Sequence, residues 1–264
     1  MTPDSSGRLV ILSGPSCVGK SPLCKSLGKF YPELSHQLHK LVLFNSRDPR
    51  PGERDGVDYH FRTRPQTEAL RTNPRYAVLE ARTDLQALDV DELESLLHRS
   101  DVLFEGNPHV GLALQTHARL ANVNRLSIFL SPLSKEEIVY LKAPERNVSL
   151  EALLTDIMRR KLLRRTRRQK GELSAPDLTN IETRASSAYR ELQTAWQFQY
   201  VIPNHDGEDS DHWEAFYYLI GDARKALQAF VSLLQGQHHS AELHPAELPR
   251  GVEKWEQDLL PPAS

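Results

Sequence analysis

The sequence predicts an α/β fold with a mostly parallel central sheet, on three observations. Leu9-Val10-Ile11-Leu12 is an apolar run of buried-strand length. A glycine-bearing loop follows it, and then Pro22-Leu23-Cys24-Lys25-Ser26-Leu27, which reads as the start of a helix. Further apolar runs alternate with helical segments along the rest of the chain, the pattern that brings strands parallel through crossover helices.

The elements follow in order. A strand is expected over 8–13 and a helix over 19–30, then a mixed region to about 82 with a strand at 77–81. A short helix at 91–99 precedes the strand Asp101-Val102-Leu103-Phe104-Glu105. A helix over 111–121 and a strand over 125–130 come next. Helices dominate 134–199, broken near Pro144 and Pro176, before a last strand Tyr200-Val201-Ile202 and a helix at about 211–235. Residues 236–264 are rich in His, Pro and Glu without apolar periodicity and are expected to form a poorly ordered tail, with Trp255 and the Leu259-Leu260 pair as the groups able to dock back.

Composition excludes several classes. With 39% hydrophobic and 26% charged residues the 264-residue chain suits a globular protein of one large or two small domains. A net charge of −2 provides no global attraction to nucleic acid or membrane. No apolar run approaches a membrane span, and Met1-Thr2-Pro3-Asp4-Ser5-Ser6 lacks a signal-peptide core. Cys17 and Cys24 alone make neither a zinc site nor a disulfide framework. The expected setting is the cytoplasm.

Gly14-Pro15-Ser16-Cys17-Val18-Gly19-Lys20-Ser21 fits G-x-x-x-x-G-K-[ST], the phosphate-cradling P-loop, between a strand and a helix as that motif requires. Glycines let the backbone approach a polyphosphate, and loop N–H groups and the positive end of the next helix converge on it. Lys20 would reach the β- and γ-oxygens, and the Ser21 hydroxyl would ligate Mg²⁺. ATP and Mg²⁺ are therefore the expected cofactors.

A second segment, Ser46-Arg47-Asp48-Pro49-Arg50-Pro51-Gly52-Glu53-Arg54-Asp55-Gly56-Val57-Asp58-Tyr59-His60-Phe61, places two arginines three residues apart, a spacing that can present two forks to a phosphate dianion. It resembles the acceptor-binding signature of guanylate kinases, R-x-P-R-x-G-E followed by G-x-D-Y-x-F. The resemblance runs from residue 8 to about 235 and implies the following roles. Arg47, Arg50 and Tyr59 would hold the acceptor phosphate, and Glu80 would read guanine N–H donors. Glu105, ending the strand after it, would touch the acceptor or organise water around Mg²⁺. Arg184 would contact phosphates in the closed state.

Between 159 and 170 stand eight basic residues in twelve: Arg159, Arg160, Lys161, Arg164, Arg165, Arg167, Arg168 and Lys170. In the family an arginine-bearing lid occupies this place, and Arg164 and Arg168 best match its spacing, with Gly171 as the lid's turn. Cations on a closing lid stabilise a transferring phosphoryl group. A solvated helix face and a nucleic-acid patch remain alternatives for this run, although no aromatic residue interleaves it for base stacking.

The departures from the family pattern fall mostly on the acceptor side. Leu43-Phe44-Asn45-Ser46 replaces a hydroxylic run, and Leu88-Asp89-Val90 stands where a phosphate-binding tyrosine is usual. Gly106-Asn107-Pro108-His109-Val110-Gly111 replaces I-D-x-Q-G, making His109 a candidate substitute contact, and 140–163 is longer than the usual link to the lid.

The expected organisation is a domain over 1–235, with a core at 8–30 and 100–235, an acceptor-binding region at about 40–95 and an arginine-rich helical lid at about 143–180. The expected activity is ATP-dependent phosphoryl transfer to a nucleoside monophosphate, GMP or dGMP. The alternatives are a phosphate-binding module with weak or no catalysis, or a P-loop kinase for another phosphorylated acceptor. Partners are expected to be small-molecule nucleotides rather than membrane or nucleic acid, in a monomer or homodimer.

Overall fold

β1 (Leu9–Ser13) is buried along its whole length, which places it at the centre of a sheet covered on both faces. In the computed structural model, which describes residues 7–50, 52–236 and 248–260, it pairs in parallel with β7 (Asp101–Gly106) and β8 (Arg125–Ser131). β2 (Leu38–Lys40) and β9 (Tyr200–Pro203) extend this to five parallel strands in the order β2-β7-β1-β8-β9. The side chains of β1 divide between two apolar clusters. Leu9 and Ile11 pack with residues of α5 (Pro108–Thr116), α7 (Leu150–Lys170), α8 (Ala175–Ser186) and α9 (Ala188–Leu192). Val10 and Leu12 pack with α1 (Lys20–Phe30) and α10 (Gly221–Leu234). Each fully buried aliphatic side chain contributes about 1.5–3 kcal/mol.

A second sheet of four strands carries the 40–95 region. β3 (Phe44–Asn45) lies between β4 (His60–Phe61) and β6 (Asp84–Asp89), and β5 (Tyr76–Ala81) forms a hairpin with β6. The remaining helices are α2 (Pro32–His36), α3 (Arg64–Ala69), α4 (Val90–Leu97) and α6 (Lys135–Lys142).

The expected fold class and element order hold, with local differences. β6 was not expected; its register sets Asn45 opposite Gln86, and its last residue, Asp89, caps α4 and pairs with Arg75. The Asp89 carboxylate is thus engaged by Arg75 and by the start of α4. α5 starts three residues earlier than expected because Asn107 caps it and Pro108 occupies its first turn. Pro144 opens a 3₁₀ turn and Pro176 sits in the first turn of α8, so both prolines start helices. The helix expected at 211–235 begins only at Gly221, leaving a long loop after β9.

Residues 248–260 do not behave as a poorly ordered tail. Val201 and Glu253 exchange backbone hydrogen bonds of 2.8 and 2.7 Å, and Trp255, Leu259 and Leu260 are buried in the core. Residues 237–247 and 261–264 of that expected tail lie outside the described residues.

Candidate active site

The P-loop leaves the carboxyl end of β1 at the centre of the parallel sheet, where open α/β sheets bind ligands. A Cβ on Gly14 would stand 2.3 Å from the Leu130 carbonyl oxygen, and its φ of 151° suits glycine, so the turn out of β1 excludes any other residue. Lys20 begins α1, and its ammonium spans the loop to the Gly14 and Pro15 carbonyls, 2.7 Å each. Burial lowers the Lys20 pKa, opposed by Glu208 and Glu105 nearby. The Ser21 hydroxyl donates to Glu105 Oε1 at 2.7 Å. Ser16 Oγ accepts from Arg184 Nε at 3.0 Å, which fastens α8 to the loop.

The loop forms one wall of a cleft of about 190 Å³, and the second sheet forms the other. Arg47 presents both guanidinium nitrogens to Glu53, at 2.6 and 2.7 Å, and its guanidinium stands 5.1 Å from the Tyr59 ring centroid. Glu53 also accepts the Arg50 N–H at 2.8 Å. The Glu53 fork thus holds the loop bearing both arginines in shape. Burial and the neighbouring Arg47 lower the Arg50 pKa to about 10. Arg184 is also lowered, by burial first and then by Arg165, Arg50 and Arg82. Crowded cations in a cleft form an anion-binding site, because each destabilises its neighbours until a negative group enters.

Most expected site residues meet in this cleft. Gly14, Ser16, Cys17, Lys20, Ser21, Arg47, Arg50, Tyr59, Glu105 and Arg184 line it. Pro15, Val18 and Gly19 belong to the same loop without lining the cleft.

Others do not meet there. Glu80 is exposed on β5 and does not line the cleft; Ala81, Arg82, Asp84 and Gln86 of that hairpin do. Strand alternation explains this, since Ala81 and Glu80 point to opposite faces. His109 is exposed on α5, and Asn107 lines the cleft instead. Arg164 projects outward to Asp209, 3.0 Å away, and Arg168 pairs with Asp211 beside an adjoining cleft. The lid arginine that reaches the central cleft is Arg165. It continues the buried stripe of α7, Leu154-Met158-Lys161-Leu162, at the next helical step, so helix periodicity singles it out where family spacing does not.

Sequence reasoning also missed the carboxamides of Asn45 and Gln86, cross-strand neighbours 1% and 8% exposed. Asn45 Oδ1 accepts the Arg47 N–H at 3.2 Å. Among the described residues, its Nδ2 and the whole Gln86 amide have no hydrogen-bond partner. Glu208, from the loop after β9, was missed as well and lines the cleft beside Lys20.

The fold and this cleft together define a nucleotide-binding protein of the P-loop α/β class. The guanylate kinase family model matches residues 6–83. A guanylate kinase of Synechococcus sp. (strain JA-3-3Ab) is 32% identical over 214 residues, covering 79% of this chain and 80% of that protein. A guanylate kinase of Rickettsia bellii (strain RML369-C) is 27% identical over 206 residues, covering 77% and 89%. The chain belongs to the guanylate kinase family. The crystal structure of guanylate kinase from Anaplasma phagocytophilum shares the fold, with a TM-score of 0.54 at 18% identity over 90% of this chain and 89% of that one.

Proposed function

We propose that the protein transfers the γ-phosphoryl group of ATP to a nucleoside monophosphate, with GMP or dGMP as acceptor and GDP or dGDP as product. The observation that carries this reading is the convergence of Lys20, Arg47, Arg50, Arg165 and Arg184 on one cleft walled on one side by a P-loop. Residues 14–21 would wrap the ATP phosphates, and Arg47, Arg50 and Tyr59 would hold the acceptor phosphate. An acceptor phosphate oxygen attacks the γ-phosphorus in line, the bond from that phosphorus to the bridging β–γ oxygen breaks, and ADP leaves. The acceptor is already an anion, so a general base has little to do. Catalysis then rests on positioning and charge stabilisation by Lys20, Arg184 and the lid arginines.

The residues fit a magnesium ion. Ser21 and Glu105 set two hard oxygen ligands side by side beside the loop, and this ion is held by one or two such groups plus phosphates. When bound it supplies positive charge to the transferring group. Among the described residues no helix is long and apolar enough to cross a membrane, and Cys17 and Cys24 are free thiols. The reading places the protein in the cytoplasm, as a monomer or homodimer acting on small-molecule nucleotides.

One observation favours a second acceptor. Glu80 stands outside the cleft, and the Gln86 amide and Asn45 Nδ2, both without a hydrogen-bond partner among the described residues, occupy the acceptor wall. A different phosphorylated acceptor would suit that wall. ADP production from ATP·Mg²⁺ tests both readings, with GMP, dGMP, AMP, CMP, UMP, IMP or no acceptor, and with Lys20→Ala alongside. Turnover dependent on GMP or dGMP and lost in Lys20→Ala is the expected result, and the second reading needs turnover on AMP, CMP, UMP or IMP. No acceptor-dependent turnover with any member of the panel removes both.

A further inference from the structure

The loop after β9 carries four acidic residues within six positions: Asp206, Glu208, Asp209 and Asp211. Three of them meet arginines on successive turns of α7. Glu208 lies 3.1 Å from Arg165, Asp209 3.0 Å from Arg164 and Asp211 3.0 Å from Arg168. Lys161 joins them, donating to the His205 carbonyl at 2.6 Å. Half of the basic run that reads as a lid is thus engaged by this loop.

The same loop is seated on the P-loop. Asn204 Nδ2 donates to the Val18 carbonyl at 2.7 Å, and a Cβ on Gly207 would stand 2.2 Å from the Cys17 carbonyl oxygen. Only glycine permits that approach. Trp213 holds the loop's shape, its indole N–H shared between the Asp206 and Gly207 carbonyls at 3.0 Å each. Glu208 consequently projects into the cleft. Burial would raise its carboxyl, but Arg165, Lys20 and Arg184 outweigh that and hold it below the usual carboxylate range. These are cations that a polyphosphate would use. The pairing is also incomplete: Arg165 Nε and Asp209 Oδ1 are buried without hydrogen-bond partners. A permanent structural clasp would leave few such groups unmade.

We propose that the 205–211 loop is an internal anionic plug. The Glu208 carboxylate occupies the seat of the donor's terminal phosphates, and ATP enters by displacing it. Arg165, Arg168 and Lys20 then exchange carboxylate and carbonyl partners for phosphate oxygens. A triphosphate outbids a single carboxylate for these cations, yet every binding event must first open the plug, and the apparent affinity falls by that factor. The empty protein meanwhile avoids leaving Arg50, Arg82, Arg165 and Arg184 crowded without an anion. The proposal rests on reading the P-loop as the ATP seat.

Calorimetric titration of ATP·Mg²⁺ into the full chain and into Glu208→Gln and Asp211→Asn tests it, with amide hydrogen exchange of the unmutated chain followed with and without ATP. Removing the Glu208 charge is expected to tighten ATP binding about tenfold, and Asp211→Asn by less. Exchange over 205–211 is expected to quicken when ATP binds. An unchanged or weaker affinity in Glu208→Gln overturns the plug, and so does slowed exchange over 205–211, which would make the loop a clamp on bound nucleotide. Should Glu208→Gln fail to fold, the exchange experiment decides alone. Lys20→Ala separates the two levels. If it leaves ATP binding untouched, the donor reading falls and the plug with it, whereas the outcomes above remove the plug alone.

Discussion

The Ser21 hydroxyl donates to a Glu105 carboxylate oxygen at 2.7 Å, joining the first turn of α1 to the end of β7 across 84 residues of sequence. Only the parallel pairing of β1 with β7 brings them together, since it sets Leu12 beside Glu105 and so delivers the carboxylate to the loop that follows β1. If the pair holds magnesium, Glu105→Ala lowers kcat about 10²-fold and raises the magnesium concentration needed for half-maximal rate. Chelating the metal abolishes turnover in the unmutated enzyme. A loss of thermal stability with an unchanged magnesium requirement would make the pair a structural clip instead.

Two residues on one hairpin separate the sequence reading from the structural one. Glu80→Ala is expected to leave the acceptor KM within twofold of the parent, because its side chain is exposed and outside the cleft. Gln86→Leu is expected to raise the acceptor KM about tenfold or more, since it deletes a buried amide facing the cleft. ATP KM should hold in both. Steady-state kinetics against the acceptor that turns over gives the comparison. A large Glu80 effect with a silent Gln86 would restore the sequence assignment.

His205 is clamped between Asp222 on α10, at 2.5 Å, and Glu137 on α6, at 2.9 Å. Burial lowers its pKa, but the hydrogen bonds its ring makes to these two carboxylates outweigh that and raise it above 6.5. The folded state therefore binds the proton more tightly than the unfolded chain does. The resulting stability is fully present below pH 6.5 and is lost as pH rises through the elevated folded value. The three side chains are 46, 40 and 23% exposed, so solvent screening limits the effect to about 1 kcal/mol or less. Urea unfolding between pH 5.5 and 9 should show this decline, and His205→Gln should flatten it. An unchanged slope in His205→Gln would assign the decline to other groups.

Much of this was legible in the sequence, and the boundary is instructive. The P-loop is a local motif whose backbone is fixed by its own glycines, so residues 14–21 fold as read. Arg47, Arg50 and Tyr59 also arrive where the second motif puts them, because the Glu53 fork that shapes the loop lies inside that motif. The place of Glu80 outside the cleft was not legible: a period-two strand inverts the meaning of a carboxylate with each single-residue step, and β6 gave no apolar alternation to fix the register. Arg165 was hidden among eight cations that only helix packing tells apart. Glu208 lay beyond any local reading, since its partners sit in α7 and the P-loop and the loop bearing it has no periodicity.

The strap at 248–260 is the last case, because its composition reads as a tail while its contacts are those of a core element. Glu253 adds a backbone bridge to the exposed edge of β9, and its carboxylate accepts from the Lys135 N–H at 2.9 Å and the Trp255 indole at 2.7 Å. Lys142 then donates to the Leu259 carbonyl at 2.7 Å, tying the far end to α6. Trp255 is 4% exposed, so Trp255→Ala should cost about 3–5 kcal/mol in denaturant unfolding, the range for truncating a buried aromatic. None of these residues lines the cleft, so ATP and acceptor KM values measured well below the lowered melting temperature should match the parent. A loss under about 0.5 kcal/mol would mean that the strap docks without joining the cooperative unit, as expected of a fraying terminus rather than a core element.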